Sequence, residues 1–346
     1  MRPQGEFMMV TDVGFPSAAA VFEAFTAYQR TGAIKAAIEM DLFTGLGEGL
    51  GTAEELAKRC QTSERGMRIL CDYLVAIGFL VKADRRYGLT PQSAMFLDRR
   101  SPAYIGTGVH FLTSPWLVDL FKDVASAVRK GGTVMDAGGA LAPEHPLWTE
   151  FARTMAPLAR LTAQLLANLL QADTGHRCRV LDVAAGHGLF GIAVAQRNPR
   201  AEVVALDWPN VLAIAEENAK DAGVAERFRT ISGDALTVDY GTGYDLVLLA
   251  NFLHHLDWHG CEKLLGKVRR ALKPSGLAVT LEFIPDEDRV TPTESAGIAL
   301  TMLVSTSGGD AYTFSEYEEM FRRAGFSSSE LHSLPPSFQR VVIAKK

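Results

Sequence analysis

The chain reads as an α/β protein in two parts: an N-terminal helical module ending in a winged-helix pattern, then a parallel sheet covered on both faces by helices. Three observations predict this. Apolar residues fall four apart early in the chain, as in Ile34, Ile38 and Leu42 of "AIKAAIEMDLF". From Arg179 onward, short apolar runs of strand type alternate with amphipathic runs of helical type. A glycine-rich turn, Gly186-x-Gly188-x-x-Gly191, directly follows the first of those strands. With 346 residues, 47% of them hydrophobic, the chain has enough material for about two domains.

The early spacing predicts one amphipathic helix from about residue 17 to 43. The stretch from Gly51 to Pro91 then reads as two short helices and a hairpin. Thr52 and Glu55 make a capping-box pattern, and "VKADRRYGLT" alternates around a polar turn. Residues 101–172 are helical in pattern, broken by the Gly/Pro-rich loop "KGGTVMDAGGALAPEHP". Next come "RVLDVA", "EVVALD", "FRTISGDA", "YDLVLLANFL" and "GLAVTLEFI" as strands, with helical runs such as "NVLAIAEENAKDAG" and "CEKLLGKVRRAL" between them. A capping box from Thr313 to Glu316 opens the last helix, and "SSELHSL" and "RVVIAKK" are expected as edge strands.

Charge and composition exclude several functions. The net charge of -5 offers neither a basic footprint for nucleic acid nor a polybasic membrane patch. A winged helix suggests DNA, but residues 52–80 set Lys58, Arg59, Arg65 and Arg68 against Glu54, Glu55, Glu64 and Asp72, which leaves no phosphate-neutralising excess. The apolar "ILCDYLVAIGFL" reads instead as a subunit or domain interface. Cys60, Cys71, Cys178 and Cys261 are widely spaced, which fits a reducing cytoplasm better than a disulfide framework or a thiolate zinc site. No run approaches a membrane span and the N-terminus lacks a secretory apolar core, so a soluble, unprocessed protein is expected.

The glycine turn formally satisfies a dinucleotide fingerprint, but Asp182 at the end of the preceding strand would repel a pyrophosphate. A cationic ligand without phosphate suits that acid better, and S-adenosylmethionine is one. Asp207 closes the next strand 25 residues on, where a carboxylate can accept both hydroxyls of a ribose. Asp234 follows the third strand, within reach of an adenine. Three acids at three consecutive strand ends lie where ligands of an open parallel sheet collect.

"AIKAAIEMDLF", "TAEELAKRC" and "LCDYLVAIGFL", followed by "VLDVAAGHG", "ALDWPNVL", "SGDAL", "FLHHLD" and "ALKPSGLAVTLEF", resemble a known family in order and spacing. That family is the class I S-adenosylmethionine-dependent methyltransferases, specifically the dimeric small-molecule O-methyltransferases that include plant phenolic and acetylserotonin enzymes. The resemblance implies a winged-helix dimerisation domain (residues 1–100), a helical connector forming the acceptor wall (101–172) and a Rossmann-like seven-stranded catalytic domain (173–346). It further implies a homodimer that uses S-adenosylmethionine, releases S-adenosylhomocysteine and needs no metal. The expected donor set is Asp182, Gly186, Gly188, Asp207, Trp208, Asp234, Ala235 and Asn251. Three departures stand out. Ala184 and Ala185 replace two loop glycines, a change that calls for ordinary backbone angles there. The family's LHDW becomes Leu253-His254-His255-Leu256, with Trp258 two positions out of register. A family acid near "GGDAYT" becomes Ala311, leaving Asp310 as the nearby substitute.

The resemblance places the catalytic base at His254 and its orienting acid at Glu282. The pairing is chemically apt in itself, since a carboxylate-oriented neutral imidazole can take a proton from a hydroxyl near neutral pH. His255 is the alternative base. His255 and His259 have the i,i+4 spacing of a zinc helix but lack the glutamate of HExxH, so they are expected to be exposed or to support their neighbours. Candidate acceptor-wall residues are His110, Phe111, Trp116, Trp148, Phe151, Met155 and Met302; "FARTM" resembles the family's acceptor helix. C- or N-methylation, a donor-binding DNA regulator and a nicotinamide oxidoreductase are the alternative readings.

Overall fold

The computed structural model describes residues 18–135, 144–172 and 175–346. The expected first helical position at Ser17 and the middle of the Gly/Pro-rich loop, residues 136–143, lie outside these. The chain divides after Gly106 into two units.

In the first unit, α1 (Ala18–Glu39) stops earlier than its periodicity suggests, and α2 (Leu42–Gly47) comes next. The break is at Asp41, whose φ of 57° turns the chain into the left-handed region. Its carboxylate accepts from Thr44 Oγ1 at 2.6 Å and from Arg59 at 3.0 Å, which holds that unusual conformation in place. Helices α3 (Ala53–Arg59) and α4 (Glu64–Ala76) start as their caps dictate, at the Thr52–Glu55 capping box and at Ser63. Strands β1 (Leu80–Ala83) and β2 (Arg86–Leu89) pair antiparallel across Asp84 and Arg85, both with positive φ, and α5 (Pro91–Phe96) ends the unit. Phe22, Phe25 and Tyr28 on α1 are each about 70% exposed.

The second unit opens with α6 (Gly108–Leu112), α7 (Pro115–Leu120), α8 (Val124–Lys130) and the long α9 (Pro146–Leu169). The alternating region comprises β3 (Cys178–Val183), α10 (Leu189–Arg197), β4 (Ala201–Asp207), α11 (Pro209–Asp221), β5 (Phe228–Ser232) and β6 (Tyr244–Ala250). It continues through α12 (Trp258–Ala271), β7 (Leu272–Glu282), α13 (Thr293–Ser305), α14 (Phe314–Arg323), β8 (Ser328–Ser333) and β9 (Arg340–Lys345). The seven strands lie in the order β5-β4-β3-β6-β7-β9-β8.

Strands β3 to β7 are parallel, but β9 runs antiparallel between β7 and β8, so the sheet is mixed. This corrects the expectation that both C-terminal strands lie at an edge, since of the two only β8 does. Val341, Val342 and Ala344 are wholly buried, as both faces of an interior strand require. The strand order reverses between β3 and β6, which opens a crevice at their carboxyl ends. Leu181, Val183, Val247 and Leu249 feed the core under α12 and α14, while Val180, Ala205, Leu246 and Leu248 feed the core under α9, α10 and α11.

Candidate active site

Loops at the carboxyl ends of the strands line the crevice. After β3, Ala184 has φ 53°, and Gly186 and Gly188 are also left-handed. The expectation of ordinary angles at Ala184 is therefore wrong: the turn keeps its shape and alanine bears the strain. At Gly191 the constraint is closeness, because a Cβ would meet Val203 Cγ1 at 2.7 Å and Asp182 Oδ2 at 3.0 Å.

That contact explains where Asp182 points. Its Oδ2 accepts from Gly191 N at 3.0 Å and fixes the start of α10 to β3. Its Oδ1 is buried without a partner, and burial pushes the carboxyl up to about 7. Asp207 accepts from Gly186 N at 2.8 Å and from Trp208 N at 2.7 Å, so it ties the glycine turn to the end of β4. Burial raises it to about 6 against the pull of those two amides. Two carboxyls made costly as anions by burial suit a ligand that brings positive charge and hydroxyl donors. S-adenosylmethionine is of that kind, and the residues present fit it.

The remaining donor candidates are placed less uniformly. Asp234 accepts from Leu236 N at 2.8 Å within its own turn, and the Ala235 carbonyl accepts from Lys267 Nζ at 2.9 Å. Trp208 packs with Trp148 against Ala152, Val211 and Ile214. Asn251, left-handed at φ 56°, pairs through Oδ1 with Gln339 Nε2.

Past β6, a single 3-10 turn (Leu253–His255) carries the histidines. His254 and Glu282 are both buried, with His254 Nδ1 2.5 Å from Glu282 Oε2. The other carboxylate oxygen accepts from Phe252 N at 3.0 Å and Leu253 N at 2.9 Å. One side chain therefore holds both the loop and the ring. A carboxylate at Nδ1 keeps the proton there, which leaves the Nε2 lone pair free.

Of the two places expected for His255, exposed or supporting its neighbour, the structure excludes the exposed one. It is half-buried, its Nδ1 is buried without a partner, and burial together with His254 holds its pKa well below the usual value. Its ring lies 4.3 Å from that of His254 and 5.2 Å, edge to face, from Trp148. His259 is exposed on α12. Among the described residues no group of three or more His, Cys, Asp or Glu is arranged to hold a metal. Asp310 is drawn away by Arg289 at 3.3 Å, and Trp258 packs towards Tyr312 while donating to Glu262 at 2.9 Å.

Helix α9 supplies the wall. Trp148 and Phe151, one turn apart, meet each other at 5.8 Å, and Phe151 reaches Phe111 at 5.1 Å and His187 at 6.3 Å. An aromatic seam thus runs from the His254 turn to the glycine turn. Met155 lies beside Gly108, and His110 is half-buried on α6. Trp116 packs instead with Leu120, Ala127 and Val304, and Met302 is buried on the same α13 helix as Val304. Sequence reasoning missed His187, the variable residue of the glycine turn. Its Nδ1 accepts from Leu189 N at 3.2 Å, and burial lowers it to about 4, so it serves as a neutral cap. The signal for it was an aromatic residue inside a turn otherwise built of small ones.

Residues 139–327 match the family described as O-methyltransferase domain, and residues 22–99 that described as O-methyltransferase dimerisation domain. The 3-hydroxy-5-methyl-1-naphthoate 3-O-methyltransferase of Streptomyces sahachiroi is 31% identical over 309 residues, covering 87% of each chain. A solved structure of a candidate O-methyltransferase from Nostoc punctiforme is 52% identical with a TM-score of 0.93, covering 96% of this chain and 100% of the other. Human N-acetylserotonin methyltransferase, solved in complex with SAM, is 20% identical and shares the fold at a TM-score of 0.81, covering 97% of this chain and 99% of the other. The chain belongs to the S-adenosylmethionine-dependent O-methyltransferase family.

Proposed function

We propose that this protein methylates a hydroxyl of a small aromatic acceptor, with His254 as the general base and Glu282 as its orienting acid. The observation that carries the reading is the buried His254–Glu282 contact at 2.5 Å, set at the mouth of the strand-order reversal. It favours His254 over His255 as the base, because only His254 has a carboxylate fixing its tautomer. Taking the proton as the oxygen attacks raises its nucleophilicity. The aromatic seam of α9 excludes water and orients a flat ring.

S-adenosylmethionine supplies the methyl group when bound. Asp207 would accept from the ribose hydroxyls, and Asp182 would face the positively charged end. Gly186 and Gly188 would give room for close approach, with Trp208, Asp234, Ala235 and Asn251 around the adenosine. Phe151 and Met155, with Trp148 and His110, form the proposed acceptor wall. The hydroxynaphthoate acceptor of the Streptomyces relative fits an aromatic wall of this kind. No metal takes part in this reading.

The exposed aromatic face of α1 and the matched dimerisation domain support a homodimer. Helices α3 and α4 with the β1–β2 hairpin then serve as a winged-helix module for assembly. Among the described residues no helix is long and apolar enough to cross a membrane, and all four cysteines are free, which fits a cytoplasmic setting.

His254→Ala tests the base. Turnover is expected to fall by about 10²- to 10⁴-fold, while calorimetry with S-adenosylhomocysteine gives a Kd close to that of the parent. Full turnover in the variant would remove His254 from the mechanism.

A further inference from the structure

We propose that His255 determines acceptor specificity: its imidazole hydrogen-bonds an oxygen substituent adjacent to the hydroxyl being methylated, so the preferred acceptors are phenols carrying a neighbouring oxygen. The proposal rests on the O-methylation reading with His254 as base.

Three observations converge on it. His255 shares the 3-10 turn of the base, and the two rings lie 4.3 Å apart at 50°. A hydroxyl brought to His254 therefore places the next ring position of the acceptor beside His255. Second, His255 Nδ1 is buried and has no partner in the protein. A buried nitrogen without a hydrogen bond is unfavourable, and a hydrocarbon side chain would fill the same space without that penalty. A ligand that completes the bond removes the penalty only while it is bound. Third, Trp148 meets the ring edge to face at 5.2 Å and also meets Phe151, so the imidazole is continuous with the aromatic seam proposed as the acceptor wall.

Burial and the neighbouring His254 keep His255 neutral. A neutral imidazole presents one N–H and one lone pair, so it can serve a hydroxyl, a methoxy or a carbonyl oxygen. It also adds no charge that would oppose protonation of His254 during the reaction. The role is therefore one of recognition, separate from proton transfer.

The test compares methyl transfer to 2,3-dihydroxynaphthalene and to 2-naphthol, which differ by the one oxygen. The parent enzyme is expected to favour the diol in kcat/KM by about tenfold or more. His255→Phe should collapse that ratio towards about two, the statistical advantage of two equivalent hydroxyls. His255→Asn, which keeps a polar atom near the Nδ1 position, should restore much of it. A ratio that is the same in the parent and in His255→Phe, or a parallel fall on both acceptors, would overturn the proposal, since a packing role lowers both. Absence of transfer to either acceptor from a parent enzyme that still binds S-adenosylhomocysteine would overturn the acceptor class. Failure to bind S-adenosylhomocysteine at all would sink the donor reading, and the proposal with it.

Discussion

Glu282 shows how much one side chain can decide. Its two oxygens divide the work between the amides of Phe252 and Leu253 and the His254 ring. Glu282→Gln keeps size and shape but turns an N–H₂ towards one of those partners. If the amide nitrogen faces Nδ1, the imidazole must move its proton to Nε2, and the base is lost. We expect kcat to fall by about 10²- to 10⁴-fold with little change in the Kd for S-adenosylhomocysteine; a kcat within a few-fold of the parent would show that the tautomer is fixed elsewhere. Asp207 predicts a pH dependence. Burial raises its pKa from 3.8 to about 6, so its contribution to the ligand-free fold is present below 3.8 and is lost as pH rises through about 6. In the proposed ribose site the ionised carboxylate accepts from the hydroxyls, so affinity there runs the other way and should weaken about tenfold per unit below that value. Calorimetry from pH 5 to 8 would read this directly, and a flat profile would remove Asp207 from the ribose site. The positions of Asp182 and Asp207 at strand ends were legible in the alternating pattern, whereas His254 was singled out by the family resemblance. The strain at Ala184 and the orphaned nitrogen of His255 were not legible, since both depend on backbone angles and packing that the residue pattern leaves open.

At the scale of elements, the active-site turn is held from a second direction. The segment after α13 presses on it: a Cβ on Gly309 would collide with the His254 carbonyl oxygen and lie 2.8 Å from Thr306 Oγ1. Gly309→Ala must therefore displace the His254 turn or unseat the 306–310 segment. A loss of about 1–3 kcal/mol in stability is expected, accompanied by lower kcat; an unaltered melting temperature would show that the segment yields freely. Helix caps and strand runs were read correctly where local chemistry decides, as at Thr52 and Thr313. The break between α1 and α2 was missed because it depends on Asp41 being held by Arg59, 18 residues away. The place of β9 was missed for a different reason. Its unbroken apolar run, Val341 to Ala344, signals burial on both faces, but which strands flank it is a long-range matter.

At the scale of the whole molecule, the α1 face predicts assembly. Phe22 and Phe25 are 69% and 72% exposed, more than a solitary subunit would be expected to leave bare together. Each side chain buried in an interface would contribute about 1.5–3 kcal/mol. The double substitution Phe22→Glu and Phe25→Glu is expected to convert a dimer to monomers in light scattering while leaving the circular dichroism spectrum intact. A parent protein that is monomeric at micromolar concentration would overturn this. The alternating region predicted the layered architecture of the catalytic unit. The reversal of strand order, which creates the crevice, arises from pairings that no single segment encodes.

The interior position of β9 also sets a timetable. Strand β7, which ends in Glu282, gains its second neighbour only when Arg340–Lys345 has been made. Until the ribosome has released those residues, β7 is an open edge of bare amides and carbonyls that runs up to Glu282. A nascent chain halted anywhere between Glu282 and Arg340 would hold the residues proposed to bind the donor yet offer an aggregation-prone flank, so chaperone demand should be greatest late in synthesis.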